Sequence, residues 1–254
     1  MKKKELSFSF LILFFMFFSV FIFTVPLWAK GINMEIGLLL EHFNWKKFTP
    51  NGILEVEESG VRKGINITWW NKEVLPYYIF GDSAIYAGTV KYNNPLIDQD
   101  ISYFCMRVET GIGFSKEVTI RYSSVKTIPY LSLVSHYWKK LYSEDKRELW
   151  TILLWKIGGR SEIELVSGQL AVNLWIGSDF ISKKRLEFSG YETIELKPKG
   201  SFFYGTDLTL KFENNFFIRG YYKHYKWTKY YKHDEWNKSP EEENDLGIVV
   251  GLSF

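Results

Sequence analysis

From Leu246 to the last residue, apolar side chains fill every second position: Leu246, Ile248, Val250, Leu252 and Phe254. Between them stand Gly247, Val249, Gly251 and Ser253, which are small or modestly apolar. A repeat of two belongs to a β-strand, whose successive side chains point to opposite faces. This strand has one broad apolar face and one narrow face.

Nine further runs alternate in the same way. In the first, Ile32, Met34, Ile36, Leu38 and Leu40 oppose Glu35, Gly37 and Glu41. A helix would spread those charges around its circumference, so the strand reading wins. The second sets Val61, Ile65, Ile67 and Trp69 against Arg62, Gly64, Asn66 and Thr68. The third covers about Tyr78 to Tyr92, with Phe80, Tyr86 and Val90 on one side. Asp82 shares that side, which demands either a bulge or a reversed assignment of faces. The fourth opposes Phe104, Met106 and Val108 to Tyr103, Cys105, Arg107 and Glu109. The fifth lies within Val118 to Trp138 and contains Pro129. A proline cannot donate to a ladder, so a bulge, an edge-like break or two shorter strands are expected. The sixth spans about Glu148 to Ile157. The seventh opposes Leu170, Val172, Leu174 and Ile176 to Gln169, Ala171 and Asn173. The eighth sets Phe202, Tyr204, Leu208, Leu210 and Phe212 against Gly205, Asp207, Thr209 and Lys211, and the ninth covers about Phe216 to Trp227.

Short links are expected at Gly158-Gly159-Arg160-Ser161 and at Glu213-Asn214-Asn215. Long polar links are expected at Thr49 to Ser59, Gly177 to Gly200 and Lys229 to Glu243. All three long links lead from an odd strand to an even one. With both chain ends on the periplasmic side, that is the alternation of short inner turns and long external loops of an outer-membrane barrel.

The N-terminus agrees. Lys2, Lys3 and Lys4 precede an apolar run from Leu11 to Leu27 and a small residue, Ala29, the layout of a secretory signal peptide. The expected division is a cleaved signal over 1–29 and a barrel over 30–254. Leu27 is larger than the usual residue near a cleavage site, and the run is long enough for a membrane anchor. Of 32 Lys plus Arg and 29 Asp plus Glu, taking away Lys2, Lys3, Lys4 and Glu5 leaves 29 against 28. The basic balance is therefore mostly targeting, and no basic block points to nucleic acid. A single cysteine excludes an internal disulfide. Aromatic residues make up 19% of the chain, which suits the interfacial girdles of a membrane barrel.

Lipid cannot satisfy backbone N–H and C=O groups, so a spanning sheet must close. The fold class is all-β: a closed antiparallel transmembrane β-barrel of about ten strands, with eight or twelve as the alternatives. The inward faces carry Glu35, Glu41, Arg62, Arg107, Glu109, Asp207, Lys211 and Arg219. Both signs in a narrow lumen imply a paired polar core of structural role.

A terminal strand closing on an aromatic residue resembles the C-terminal insertion signal of bacterial outer-membrane barrels. The resemblance implies that Val250, Leu252 and Phe254 form an assembly signal read by the barrel-assembly machinery. It also implies a monomer in contact with outer-membrane lipid and lipopolysaccharide. Glu41-His42-Phe43-Asn44-Trp45-Lys46-Lys47-Phe48, followed by Gly52, Leu54 and Glu57-Glu58-Ser59-Gly60, is similar to the opening of an uncharacterised family of Gram-negative outer-membrane barrels. Val90-Lys91-Tyr92 and Leu196 to Gly200 look like that family too, while Lys47 departs from its acidic residue. The family implies a barrel and no activity. Trp45 and Phe48 are expected in an outer aromatic girdle.

The chain carries little overt chemistry. Four histidines, His42, His136, His224 and His233, show no metal-ligand spacing, and no cofactor is implied. Omptin proteases are similar in size and class, with Asp and Asp–His pairs at the external mouth; here His42, His233, Asp98, Asp100 and Asp234 are candidates for that region. Barrel lipid A deacylases use a Ser/His/acid set on the outer wall, for which Ser132, Ser135 and His136 have the right types. Cys105, with no base adjacent, reads as an inward filler. The sequence therefore supports an outer-membrane barrel of structural, binding or passive-surface role. A hydrolase acting on peptide or lipid A at the mouth is the alternative, and a narrow pore is the third.

Overall fold

The computed structural model describes residues 32–71, 77–120, 123–143, 145–189, 193–200, 202–232, 235–237 and 240–254, so the expected signal over 1–29 lies outside them. These residues form thirteen strands in one sheet and no helix. In chain order they are β1 (Ile32–Phe48), β2 (Leu54–Asn71), β3 (Tyr77–Asn94), β4 (Ile97–Phe114), β5 (Lys116–Ile120), β6 (Ser123–Ser143), β7 (Lys146–Leu165), β8 (Gly168–Phe188), β9 (Ile194–Gly200), β10 (Phe203–Phe212), β11 (Phe216–Lys232), β12 (Glu235–Asn237) and β13 (Glu241–Ser253).

β1 pairs with β2 on one side and β13 on the other, both antiparallel, so the sheet closes on itself. The ring has ten strands, in the order β1-β2-β3-β4-β6-β7-β8-β10-β11-β13. β5 continues β4 past Ser115 and pairs with β6. β9 fills the position beyond β10, between β8 and β11, and β12 pairs with the end of β11. Closure gives every ladder a neighbour, which is the condition lipid imposes. The seam reaches the last residue: the Phe254 N–H donates to Met34 O at 2.7 Å, and the Met34 N–H donates to Phe254 O at 3.1 Å. Deleting Phe254 is therefore expected to lower the yield of the compact, heat-modifiable form in outer-membrane fractions. An unchanged yield would contradict an assembly role for this end.

Each of the ten alternating runs is a strand of the ring. Phe80, Asp82, Tyr86 and Val90 share the inner face with no bulge, since β3 and β4 stay in register from Tyr77 to Asn94. The assignment of faces had to be reversed. β6 is one strand, and Pro129 lies opposite the interruption between β4 and β5, where no ladder donor is needed.

The links differ from expectation. Leu54 to Ser59 belongs to β2, Gly177 to Phe188 to β8, and Ile194 to Gly200 forms β9. Gly158 to Ser161 lies inside β7, and Glu213 to Asn215 is a turn as expected, with Asn215 at φ 65°. The strands outrun the lipid. β1 and β8 have 17 and 21 residues, against the roughly 9–11 that a membrane needs. In the half nearest the termini the outer wall is apolar, with Leu38, Ile65, Ile85, Leu174, Leu208 and Ile248 exposed. Farther along, Lys46–Glu57 (3.4 Å), Lys183–Glu195 (2.8 Å) and Lys226–Glu242 (2.6 Å) pair on the barrel wall. Such cross-strand pairs extend hairpins in water without apolar alternation, which is why those segments read as loops. The barrel thus projects well beyond its apolar band at the end opposite the termini, its mouth.

Candidate functional site: the lumen and its mouth

Strand parity sends side chains from every strand of the ring into one lumen. In the half near the termini, Glu35 is fully buried and receives Lys211 Nζ at 2.7 Å, together with the Arg219 guanidinium. Arg219 also donates to Thr209 Oγ1 and Thr68 Oγ1, both at 3.1 Å. Asp82 accepts from Arg107 Nη2 at 2.6 Å and from Asn66 Nδ2 at 2.8 Å. Glu109 accepts from Lys156 Nζ and Ser132 Oγ, each at 2.6 Å. Asn173 donates to Asp207 at 2.7 Å. A residual cavity of about 100 Å³ is left within this network. One layer farther in, Arg62 donates to Glu41 Oε1 at 2.6 Å and Asp245 Oδ1 at 2.9 Å, with Glu243 at 3.8 Å. Its guanidinium also lies 4.1 Å from the Phe43 ring centroid, and the Tyr221 hydroxyl completes Glu41 at 2.7 Å. All eight lumen residues assigned from sequence point inward, and each meets a partner.

Sequence reasoning missed the next layer. Trp138 stacks on Trp150 with centroids 5.0 Å apart, and Trp227 lies 5.3 Å from Trp150. Phe203 lies 5.5 Å from Trp227 and 5.3 Å from Tyr225. All five rings are at most 2% exposed. Strand parity places these rings inward, whereas aromatic content alone suits an outer girdle equally well. Trp45 corrects that reading directly: it is 3% exposed and points inward, with Lys140 Nζ 4.0 Å from its ring centroid. Phe48 sits at a register shift between β1 and β2. Tyr204 and Tyr222, 6.3 Å apart, do face outward, beside His224.

Toward the mouth, Glu58, Glu148 and Glu241 surround Lys140 and Lys184. Lys140 lies 3.0 Å from Glu58 and 3.4 Å from Glu148, and Lys184 lies 3.4 Å from Glu148 and 3.3 Å from Glu241. Beyond them opens a cavity of about 550 Å³. Glu241 and Glu243 continue the inward parity of the terminal strand past Asp245, a signal overlooked because the segment read as a loop.

The candidate catalytic residues do not converge. His42, beside Val61 and Leu246 in the ladder, is exposed on the outer wall, as are Asp98 and Asp100 on β4. His233 and Asp234 lie outside the described residues. Ser132 and His136 face the lumen and not the outer wall, while Ser135 takes the opposite face. His136 Nε2 meets the Tyr86 hydroxyl at 3.0 Å, and Ser132 is committed to Glu109. Four residues of strand put Ser132 and His136 roughly 13 Å apart. Among the described residues no group of three His, Cys, Asp or Glu is placed to hold a metal ion. Cys105 is fully buried, its Sγ 3.6 Å from Arg62 Nη1. A thiol reagent is expected to label it only after urea unfolding; labelling of the folded barrel would contradict the packing.

No protein-family model matches the chain, and no curated protein matches it. Among solved structures it is similar to the outer membrane protease OmpT from Escherichia coli, with a TM-score of 0.57 and 10% identity, covering 89% of this chain and 97% of that one. It is also similar to an outer membrane channel from Pseudomonas putida F1, with a TM-score of 0.42 and 8% identity, covering 88% and 96%. The chain has the fold of an outer-membrane transmembrane β-barrel.

Proposed function

We propose that this is a sealed outer-membrane barrel, acting at the cell surface in a structural, binding or passive-surface role and not as a conduit. The reading rests on one observation: charged and aromatic layers fill the lumen one above another. Arg62 is 1% exposed, Glu41 and Asp245 are fully buried, and Trp150 and Trp227 lie above them at zero exposure. Small barrels are filled by side chains in this way, whereas porins of many more strands leave an aqueous channel. Outer-membrane lipid and lipopolysaccharide would surround the apolar band as solvent, the assembly machinery would read Val250, Leu252 and Phe254, and the barrel would work as a monomer. The hydrolase alternative requires a nucleophile, a base and an orienting group within hydrogen-bond reach. His42, Asp98, Asp100, Ser132 and His136 do not supply that set.

Liposome swelling tests the proposal. Vesicles containing the refolded barrel should swell in small-sugar solutions no faster than protein-free vesicles. Swelling that scales with protein content would favour the narrow pore.

A further inference from the structure

The half of the lumen toward the mouth buries more negative charge than positive. Its carboxylates are Glu41, Glu58, Glu148, Glu241, Glu243 and Asp245, none more than 4% exposed. Its cations are Arg62, Lys140, Lys184 and Lys223, none more than 7% exposed. Six against four leaves two carboxylates without a counter-charge. A buried carboxylate in that position neutralises by keeping its proton. We propose that the inward carboxyls of β13 keep these protons, and that the closure of β13 on β1 and β11 weakens toward the mouth as they leave with rising pH.

The partners decide where the protons sit. Glu41, on β1, has Arg62 at 2.6 Å, the Tyr221 hydroxyl at 2.7 Å and Lys223 at 3.6 Å. Glu58, on β2, has Lys140 at 3.0 Å and the Tyr103 and Tyr142 hydroxyls. Glu148, on β7, has Lys140, Lys184 and the Trp150 indole N–H. Donors surround each of these. On β13, by contrast, Glu241 Oε2, Glu243 Oε1 and Asp245 Oδ2 are buried with no donor. Glu243 stands between Trp45 and Tyr225 in the ladder, 3.8 Å from Arg62, whose hydrogen bonds go to Glu41 and Asp245. Glu241 shares Lys184 with Glu148, and Lys47, opposite it in the ladder, pairs with Glu55. The Cys105 thiol and the Tyr86 and Tyr225 hydroxyls face the same layers and are uncharged near neutrality. Alternate residues of a strand lie roughly 7 Å apart, so three ionised carboxyls along β13 would also repel one another. Glu241 and Glu243 lie above the apolar band, on either side of the outward Glu242. Burial pushes Glu241 up to about 7 against the pull of Lys184. Burial and the neighbouring Asp245 charge hold Glu243 well above the usual carboxylate range. The donorless oxygens are enclosed too tightly for a ligand, and a proton needs no such room.

A glutamate that keeps its proton in the folded barrel adds stability that is complete below the ordinary value of 4.5 and is lost as the pH rises through the folded value, about 7 for Glu241. Urea unfolding of the full barrel in phosphatidylcholine vesicles, from about pH 5 to about pH 7, reads this out against Glu241→Gln and Glu243→Gln. Each variant places a neutral amide where the parent must hold a proton. The variant-to-parent ratio of folding constants should therefore rise by about tenfold per pH unit. Histidines, which titrate in the same range, are common to parent and variants and cancel from the ratio. Glu242→Gln, on the outer face of the same strand, should keep the ratio flat. At about pH 8, above the ordinary glutamate value, the amides from Glu241 to Asp245 should exchange with deuterium more slowly in Glu243→Gln than in the parent. Those from Val249 to Leu252 should exchange equally in both. If neither variant folds, infrared spectra of the unmodified barrel decide. A carboxylic-acid C=O band at about pH 6, well above the ordinary carboxylate value, that fades as the pH is raised supports retained protons; its absence excludes them. The proposal rests on the sealed lumen, and conductance at the same pH values separates the two: a conducting barrel fails the seal, whereas a silent barrel with a flat ratio fails the protons alone. A ratio that does not rise with pH, or β13 amides no better protected in Glu243→Gln, would overturn the proposal.

Discussion

Replacing Arg62 with alanine is expected to cost about 3–5 kcal/mol of folding stability, the range found when one partner of a buried ion pair is removed. The reason is what remains. Glu41 and Asp245 are fully buried and Glu243 is 1% exposed, and all three lie within 3.8 Å of the guanidinium. Desolvated carboxylates without a counter-charge are costly, and three together also repel one another. The guanidinium reaches Glu41 through both Nε and Nη2 while a third bond goes from Nη2 to Asp245. Lysine cannot reproduce that fork, so Arg62→Lys should recover only part of the loss. Urea unfolding of the barrel in lipid vesicles measures both variants. A cost for Arg62→Ala below about 1 kcal/mol, the level of an exposed pair, would show that this layer is hydrated and open.

Leu208→Arg should cost about 2–4 kcal/mol, the penalty for a cationic side chain on the lipid face near the bilayer midplane. Leu208 is 48% exposed, on a strand whose outer face reads Tyr204, Leu208, Leu210 and Phe212. Leu208→Phe should cost almost nothing, because both side chains suit lipid. The same unfolding assay applies. Equal effects of arginine and phenylalanine would place Leu208 outside the apolar band.

The architecture was legible because lipid enforces it. Leu246 to Phe254 and Ile32 to Leu40 alternate with only Val249 and Leu39 as apolar residues on the inner face, since one face meets hydrocarbon and the other a crowded lumen. Arg62, Arg107 and Arg219 could be found by the same parity, as charges opposite apolar neighbours. Asp82 was legible only as a contradiction, and its resolution reversed a whole face of β3. The upper hairpins were hidden for a different reason. Lys46 and Glu57, or Lys226 and Glu242, face water on the outer wall while their inward neighbours include the buried Glu58, Glu241 and Glu243, so no apolar repeat marks them as strand. The tryptophan layer was hidden because a membrane barrel uses aromatic residues both outside, at the interface, and inside, as filler. Composition does not separate Trp138, Trp150 and Trp227 from Tyr204 and Tyr222; only register does. The mouth cavity depends on which hairpins extend and how far, which spacing along the chain does not reveal.

The sealed lumen is the centre of this account, and ionic current across a planar bilayer tests it most directly. With the refolded barrel inserted, and insertion verified by heat-modifiable migration, the membrane should stay at baseline conductance under applied voltage. It should stay there for Trp138→Ala as well, because the layer of Arg62, Glu41 and Asp245 lies beneath. Stable stepwise openings from the unmodified barrel would contradict the seal and show that the charged layers line a conducting path.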